Sequence, residues 1–179
     1  MAGCTGMPAG TYVCETCPNA SDSNTGTQGC PVLTINRGIA HAIAVGDTVV
    51  RVASSYNVSA ATYAEDVTVP AGLKLEGRWR VTGTTWARAG AGTARTELVN
   101  TQPTGLKFGT GAARSTQVEG FIIRAAPPSA ATTTLAAVSI VDTAPTLTDF
   151  VVTGAGSSAS TQVGIPITST NMAARRSPL

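Results

Sequence analysis

Charge is scarce in this chain. Lys, Arg, Asp and Glu make up 12% of its 179 residues, about half the share usual in a soluble domain. The formal net charge is only +2, and the arginines are scattered, with Arg175-Arg176 the one adjacent pair. That excludes the dense basic patch by which a protein holds nucleic acid or an anionic membrane. Aromatic residues are 4%, so the core must be built from Val, Ile, Leu and Ala. One histidine, His41, comes with no Ser, Cys or Asp arrangement that would make it a catalyst. No apolar run approaches the roughly 18 residues that cross a bilayer, so no transmembrane segment is expected, and no signal peptide is visible.

Thr, Val and Gly are abundant instead. β-branched side chains restrict χ1 and favour extended backbone, and frequent Gly supplies turns. The expected class is all-β. One helix is expected, over residues 34–45: Leu33, Ile35, Ile39, Ala42 and Ile43 recur at helical spacing, Thr34 suits the N-cap, and Gly46 suits the stop.

All four cysteines, Cys4, Cys14, Cys17 and Cys30, fall in the first 30 residues, within a segment rich in Gly, Pro, Asn and Ser. Two disulfides stapling a loop, in an oxidising compartment, are expected. A Cys4 zinc site competes, because Cys14 and Cys17 have the C-x2-C spacing, although the other two cysteines stand alone. Cys4 after Met-Ala-Gly also fits the end of a lipid-anchor motif, so a removed leader or anchor stays open. The organisation is therefore a disulfide-rich segment over 1–33, the helix and strands over 34–170, and an irregular tail over 171–179.

After Asp47 the chain echoes itself. "VEGFIIR" from Val118 matches "LTDFVVT" from Leu147 position by position, 29 residues apart, and "LEG" at Leu75 opens the same way. "TGLKF" (104–108) and "AAVSI" (136–140) form a second echo, with "VGIPI" (163–167) as a third copy. A period of about 20–35 residues built of short strands indicates a β-solenoid, here of about three to four coils. Each run is one side of a coil and pairs in parallel with its equivalent in the next, with no hairpins needed. Val118, Phe121 and Ile123 should point inward, as should Leu147, Phe150 and Val152. Glu119 and Ile122 should point outward, and Gly120 and Asp149 should turn the corners.

The stretch "TYV…DSNTGTQGCPVLTINRGIAHAIAVGDTVVRV…YAEDVTVPAGLKLEG", over residues 11–77, resembles the opening of secreted right-handed parallel β-helix proteins of the pectate-lyase-like superfold. The resemblance implies the right hand, the helical cap and a secreted or cell-surface setting. It does not imply lyase activity, because function sits in the site and not in the architecture. Enzymes of this superfold cluster carboxylates, sometimes with Ca²⁺, beside a Lys or Arg base.

No such cluster is legible here. Glu76 and Glu119 alone align on neighbouring coils, where two carboxylates could share a proton, bind a cation or act as acid and base, or simply be neutralised by a nearby Arg. The segment between them carries both tryptophans, Trp79 and Trp86, with Arg78, Arg80, Arg88 and Arg95. Trp beside Arg can stack on a sugar and hold its hydroxyls or acid groups. It can equally pack a loop on the wall. The candidate ligand-binding residues are therefore Trp79, Trp86, Arg78, Arg80, Arg88, Glu76 and Glu119. No catalytic residue, cofactor or resident metal is assigned, and Ca²⁺ enters only if the chain is a lyase. The function expected is a non-catalytic structural or binding module. Its partners are a glycan, another surface protein or further copies of itself joined at the C-terminal end. The alternative is a lyase or hydrolase of an acidic polysaccharide.

Overall fold

The structure, a computed structural model, describes residues 10–101, 104–124, 134–141, 143–153, 161–163 and 167–168. The expected helix is α1, Ile35–Val45. The Thr34 hydroxyl accepts the Arg37 N–H, and Gly46 ends the helix in the left-handed region at φ 79°. Two carboxylates finish the N-terminal end, where free N–H groups need acceptors. Glu65 accepts from Ile35 N and Asn36 N at 2.7 and 2.9 Å, and Asp22 accepts from Leu33 N and Thr34 N. The buried face holds Ile35, Gly38, Ile39 and Ala42. Leu33 and Ile43, expected on it, are exposed, Ile43 by 61%. The contact is narrower than a helical stripe predicts because Gly38 brings the backbone close: a Cβ there would meet Val13 Cγ2 at 2.4 Å.

The strands are β1 (Thr11–Val13), β2 (Val49–Tyr56), β3 (Ser59–Ala60), β4 (Thr62–Ala64), β5 (Val67–Val69), β6 (Lys74–Thr82), β7 (Thr85–Arg88), β8 (Thr96–Val99), β9 (Thr104–Phe108), β10 (Gln117–Glu119), β11 (Phe121–Arg124), β12 (Thr134–Val141), β13 (Thr146–Thr148), β14 (Val151–Thr153), β15 (Thr161–Val163) and β16 (Ile167–Thr168). The class is all-β. The first sheet runs β1-β2-β6-β10-β13, the second β4-β8-β11-β14 and the third β5-β9-β12-β15, with β16 also on β12. Every neighbouring pair along these orders is parallel. From β2 onward the chain visits first, second and third sheet in that order four times.

The sequence echoes are the pairing register. Val118 sits beside Leu147, Ile122 beside Val151, and Leu106 beside Val138. Val50, Leu75, Val118 and Leu147 form one column. The first three are fully buried with Phe121 and Ile123, while Leu147, Phe150 and Val152 are partly buried against the same core. Gly120 and Asp149 turn their corners at φ 77° and 48°. Alternate residues along a strand face opposite sides, so one register error would have turned each apolar set outward. The centre of "VGIPI", residues 164–166, and the tail 171–179 lie outside the described residues, as does the C-terminal surface through which copies were expected to join.

Two expectations need correction. The run "TYVCET" (11–16) reads as one strand in the sequence, but β1 ends at Val13, because the chain turns there through a disulfide between Cys14 and Cys17 with Cα atoms 5.5 Å apart. The chain also does use hairpins: β2 pairs antiparallel with β3, and β6 with β7. Cys30 is disulfide-bonded too, so these three cysteines are not a zinc set. Cys4 lies outside the described residues. Among the described residues, no helix is long and apolar enough to cross a membrane.

Candidate functional site

The outer face of the first sheet carries a column of polar side chains. Register places Tyr12, Arg51, Glu76, Glu119 and Thr148 side by side across five strands. The expected neighbours Glu76 and Glu119 are thus brought together. They are also occupied. Lys74 Nζ stands between them, 2.9 Å from Glu76 and 3.7 Å from Glu119. Arg51 approaches Glu76 at 3.6 Å. Arg78 and Arg88 each approach Glu119 at 2.8 Å. A Ca²⁺ bridging the two carboxylates would have to displace Lys74.

The segment that follows Gly77 is an insertion. Glu119 pairs with Glu76 and Phe121 pairs with Thr96, so residues 78–95 occupy a corner that Gly120 alone turns in the next passage. They form the β6–β7 hairpin and a return segment. Trp79 and Val81 face one side of the hairpin with their partners Arg88 and Trp86. Trp86 is only 8% exposed. Its ring stands edge-on to Tyr12 with centroids 4.9 Å apart, and its Nε1–H donates to the Gln28 carbonyl at 3.1 Å. It packs the hairpin onto the N-terminal segment beside Cys14 and Cys17, and offers no open ring face to a sugar. Trp79 is half-buried, with the Arg51 guanidinium 5.5 Å from its ring centre and 5.3 Å from that of Tyr12. Arg80 is exposed on the opposite side of the hairpin and does not join the cluster.

Arg78, a candidate ligand-binding residue, is buried. It lies across Gly120, where a Cβ would meet its Cγ at 2.6 Å, and reaches both Glu119 and Asp149, the latter at 3.3 Å. That second contact is an ion pair outside hydrogen-bond alignment. Asp149 completes the group. It accepts Arg95 at 2.6 Å and the Gly92 N–H. Sequence reading placed Asp149 at a corner but not in the site. The available signal was an acid standing where "VEGF" has Gly120. Arg51 and Arg95 were missed because their partners, Glu76 and Asp149, lie on other strands and tens of residues away in sequence, and Lys74 because its bridge from Glu76 to Glu119 exists only once β6 and β10 pair.

Five cations, Arg51, Lys74, Arg78, Arg88 and Arg95, thus face three carboxylates. Burial by itself would raise the Glu119 carboxyl, but the hydrogen bond and charge of Arg88, with Lys74 and Arg78, outweigh it and hold the group below its ordinary value. Burial is likewise outweighed at Asp149, by the Gly92 N–H, then Arg95 and Arg78. Among the described residues no three His, Cys, Asp or Glu side chains gather as a metal would require. His41 Nδ1 lies 3.3 Å from the Thr11 hydroxyl, which donates to Asp47 at 3.0 Å. Thr11 is buried, so this trio pins the helix to β1 and presents no nucleophile.

Comparison with known proteins finds no relative: no family model matches the chain, and no curated protein or solved structure is similar to it.

Proposed function

We propose that the chain is a secreted or cell-surface right-handed parallel β-helix that binds a ligand without transforming it. The four ordered visits to three parallel sheets support the helix, with α1 capping its first coil. The Cys14–Cys17 disulfide supports the oxidising setting. One observation carries the non-catalytic reading. Lys74 stands between Glu76 and Glu119, and Glu119 is held in its ionised form by two arginines as well. A general acid needs the opposite, a carboxyl raised toward the working pH.

The ligand that fits is a glycan with acidic groups. Lys74 and Arg88 are the most accessible cations paired to Glu119, with side chains 30% and 31% exposed. Both approach the same Glu119 oxygen, and half-buried Trp79 lies opposite Arg88. An anionic group can bridge two such cations. Electrophoresis through gels containing uronate polymers, with and without Ca²⁺, tests this. Retardation without unsaturated product or new reducing ends is expected, and Lys74→Ala/Arg88→Ala should lose most of it. Unsaturated product would establish the lyase alternative, and unretarded migration in every gel would remove the glycan.

A further inference from the structure

We propose that residues 78–95 form an insertion, strained at both feet, whose return segment, 89–95, is a latched flap: it is held shut by Asp149, with Glu119 tying the neighbouring Arg78 and Arg88. The strain is visible in the backbone. Four non-glycine residues among those described have positive φ, and three of them meet here: Arg78 (66°) at the first foot, Ala94 (47°) at the second, and Asp149 (48°) beneath them. L-residues adopt this region at a steric cost and stay there only where the surroundings hold them.

What holds them is charge. The first foot is tied by the Arg78 guanidinium to both carboxylates. The second hairpin strand is tied at its base by Arg88 to Glu119. The return segment is tied by Arg95 and the Gly92 N–H to Asp149. The backbone of the return segment bonds mainly within the insertion, through Ala89 N to Arg78 O and Thr93 N to Gly90 O. Strand β6 is different, because it pairs along β2. The latch therefore governs residues 89–95, which turn away when Asp149 loses its charge, while β7 stays paired with β6 and packed through Trp86 on Tyr12. Opening frees the Asp149 corner and the Arg78 guanidinium that faces it.

Both tryptophans of the chain lie in the insertion, on the paired strands β6 and β7, so their emission reports whether the hairpin itself stays packed. The test compares the full chain with Asp149→Asn, which keeps a side chain tolerant of left-handed backbone and removes only charge. Tryptic cleavage after Arg88 and Arg95 faster by on the order of tenfold is expected, at unchanged tryptophan emission and far-ultraviolet circular dichroism. Arg95→Gln, which removes the other partner of the ion pair, provides the second measurement if the first variant does not fold, and its cleavage after Arg88 should be faster to the same degree. Cleavage at the parent's rate in a folded variant, or faster cleavage accompanied by red-shifted emission, would overturn the latch.

Discussion

Replacing Phe121 by Ala is expected to lower stability by about 3–5 kcal/mol, the usual cost of deleting a fully enclosed ring. Phe121 has no exposure. It pairs with Thr96 on one side, and register carries Phe150 to its other side, since Ile122 pairs with Val151. Main-chain pairing fixes the strands about 4.8 Å apart, so the wall cannot collapse into the space the ring leaves. Phe150→Ala should cost less, because Phe150 is only partly buried. Equilibrium urea unfolding measures both. A Phe121→Ala protein within 1 kcal/mol of the parent would show that the interior is not packed as described.

Gly77→Ala should be nearly as damaging, through overpacking instead of loss. A Cβ at this corner would stand 2.4 Å from the Gly120 carbonyl oxygen and 2.9 Å from the Thr96 hydroxyl. Neither can yield freely. The Gly120 carbonyl accepts Thr96 N, and the Thr96 hydroxyl accepts Arg78 N while donating to the Val52 carbonyl. Adding one methyl group should therefore destabilise by about 2–3 kcal/mol, at the upper end of overpacking costs, and disturb the first foot of the insertion. Gly83→Ala is the contrast for space, because nothing lies within 4 Å of a Cβ there, although its φ of 58° adds strain of its own. Thermal unfolding of the two variants, followed by circular dichroism, separates them. A Gly77→Ala protein as stable as Gly83→Ala would contradict the close approach of the two corners.

How much of this was legible follows from what each residue depends on. Helix α1 depends on local signals, Thr34 before it and Gly46 after it, and its limits were read within a residue. The parallel register depends on repetition. Val118 with Leu147 and Leu106 with Val138 were readable because a chain that repeats its pattern repeats its neighbours. Among the described residues the hairpin from Trp79 to Arg88 has only the much shorter β2–β3 hairpin as a counterpart, with no shared residue pattern, so repetition could not reveal it, and its turn at Gly83 is a weak local signal. Its residues then defied compositional reading. Arg78, a cation in a polar segment, is buried because two carboxylates from later strands converge on it. Trp86 packs inward because Tyr12, 74 residues earlier, supplies its partner ring. Asp149 was seen as a corner and not as a clamp, since its role arises only where the insertion returns.

The central claim is that the paired carboxylates are a neutralised cluster and not an acid–base pair, and Glu119 reports it most directly. Nuclear magnetic resonance can follow the titration of its side-chain carbonyl carbon in the folded protein. The groups facing it are Lys74, Arg78 and Arg88, with Glu76 as its register neighbour. The account predicts a midpoint below the ordinary glutamate value of about 4.3. Because the folded value then lies under the unfolded one, the ion pairs contribute stability above about pH 4 and lose it as the pH falls through that midpoint. A midpoint near or above about 6, the range of a working general acid, would contradict the account and return the site to catalysis.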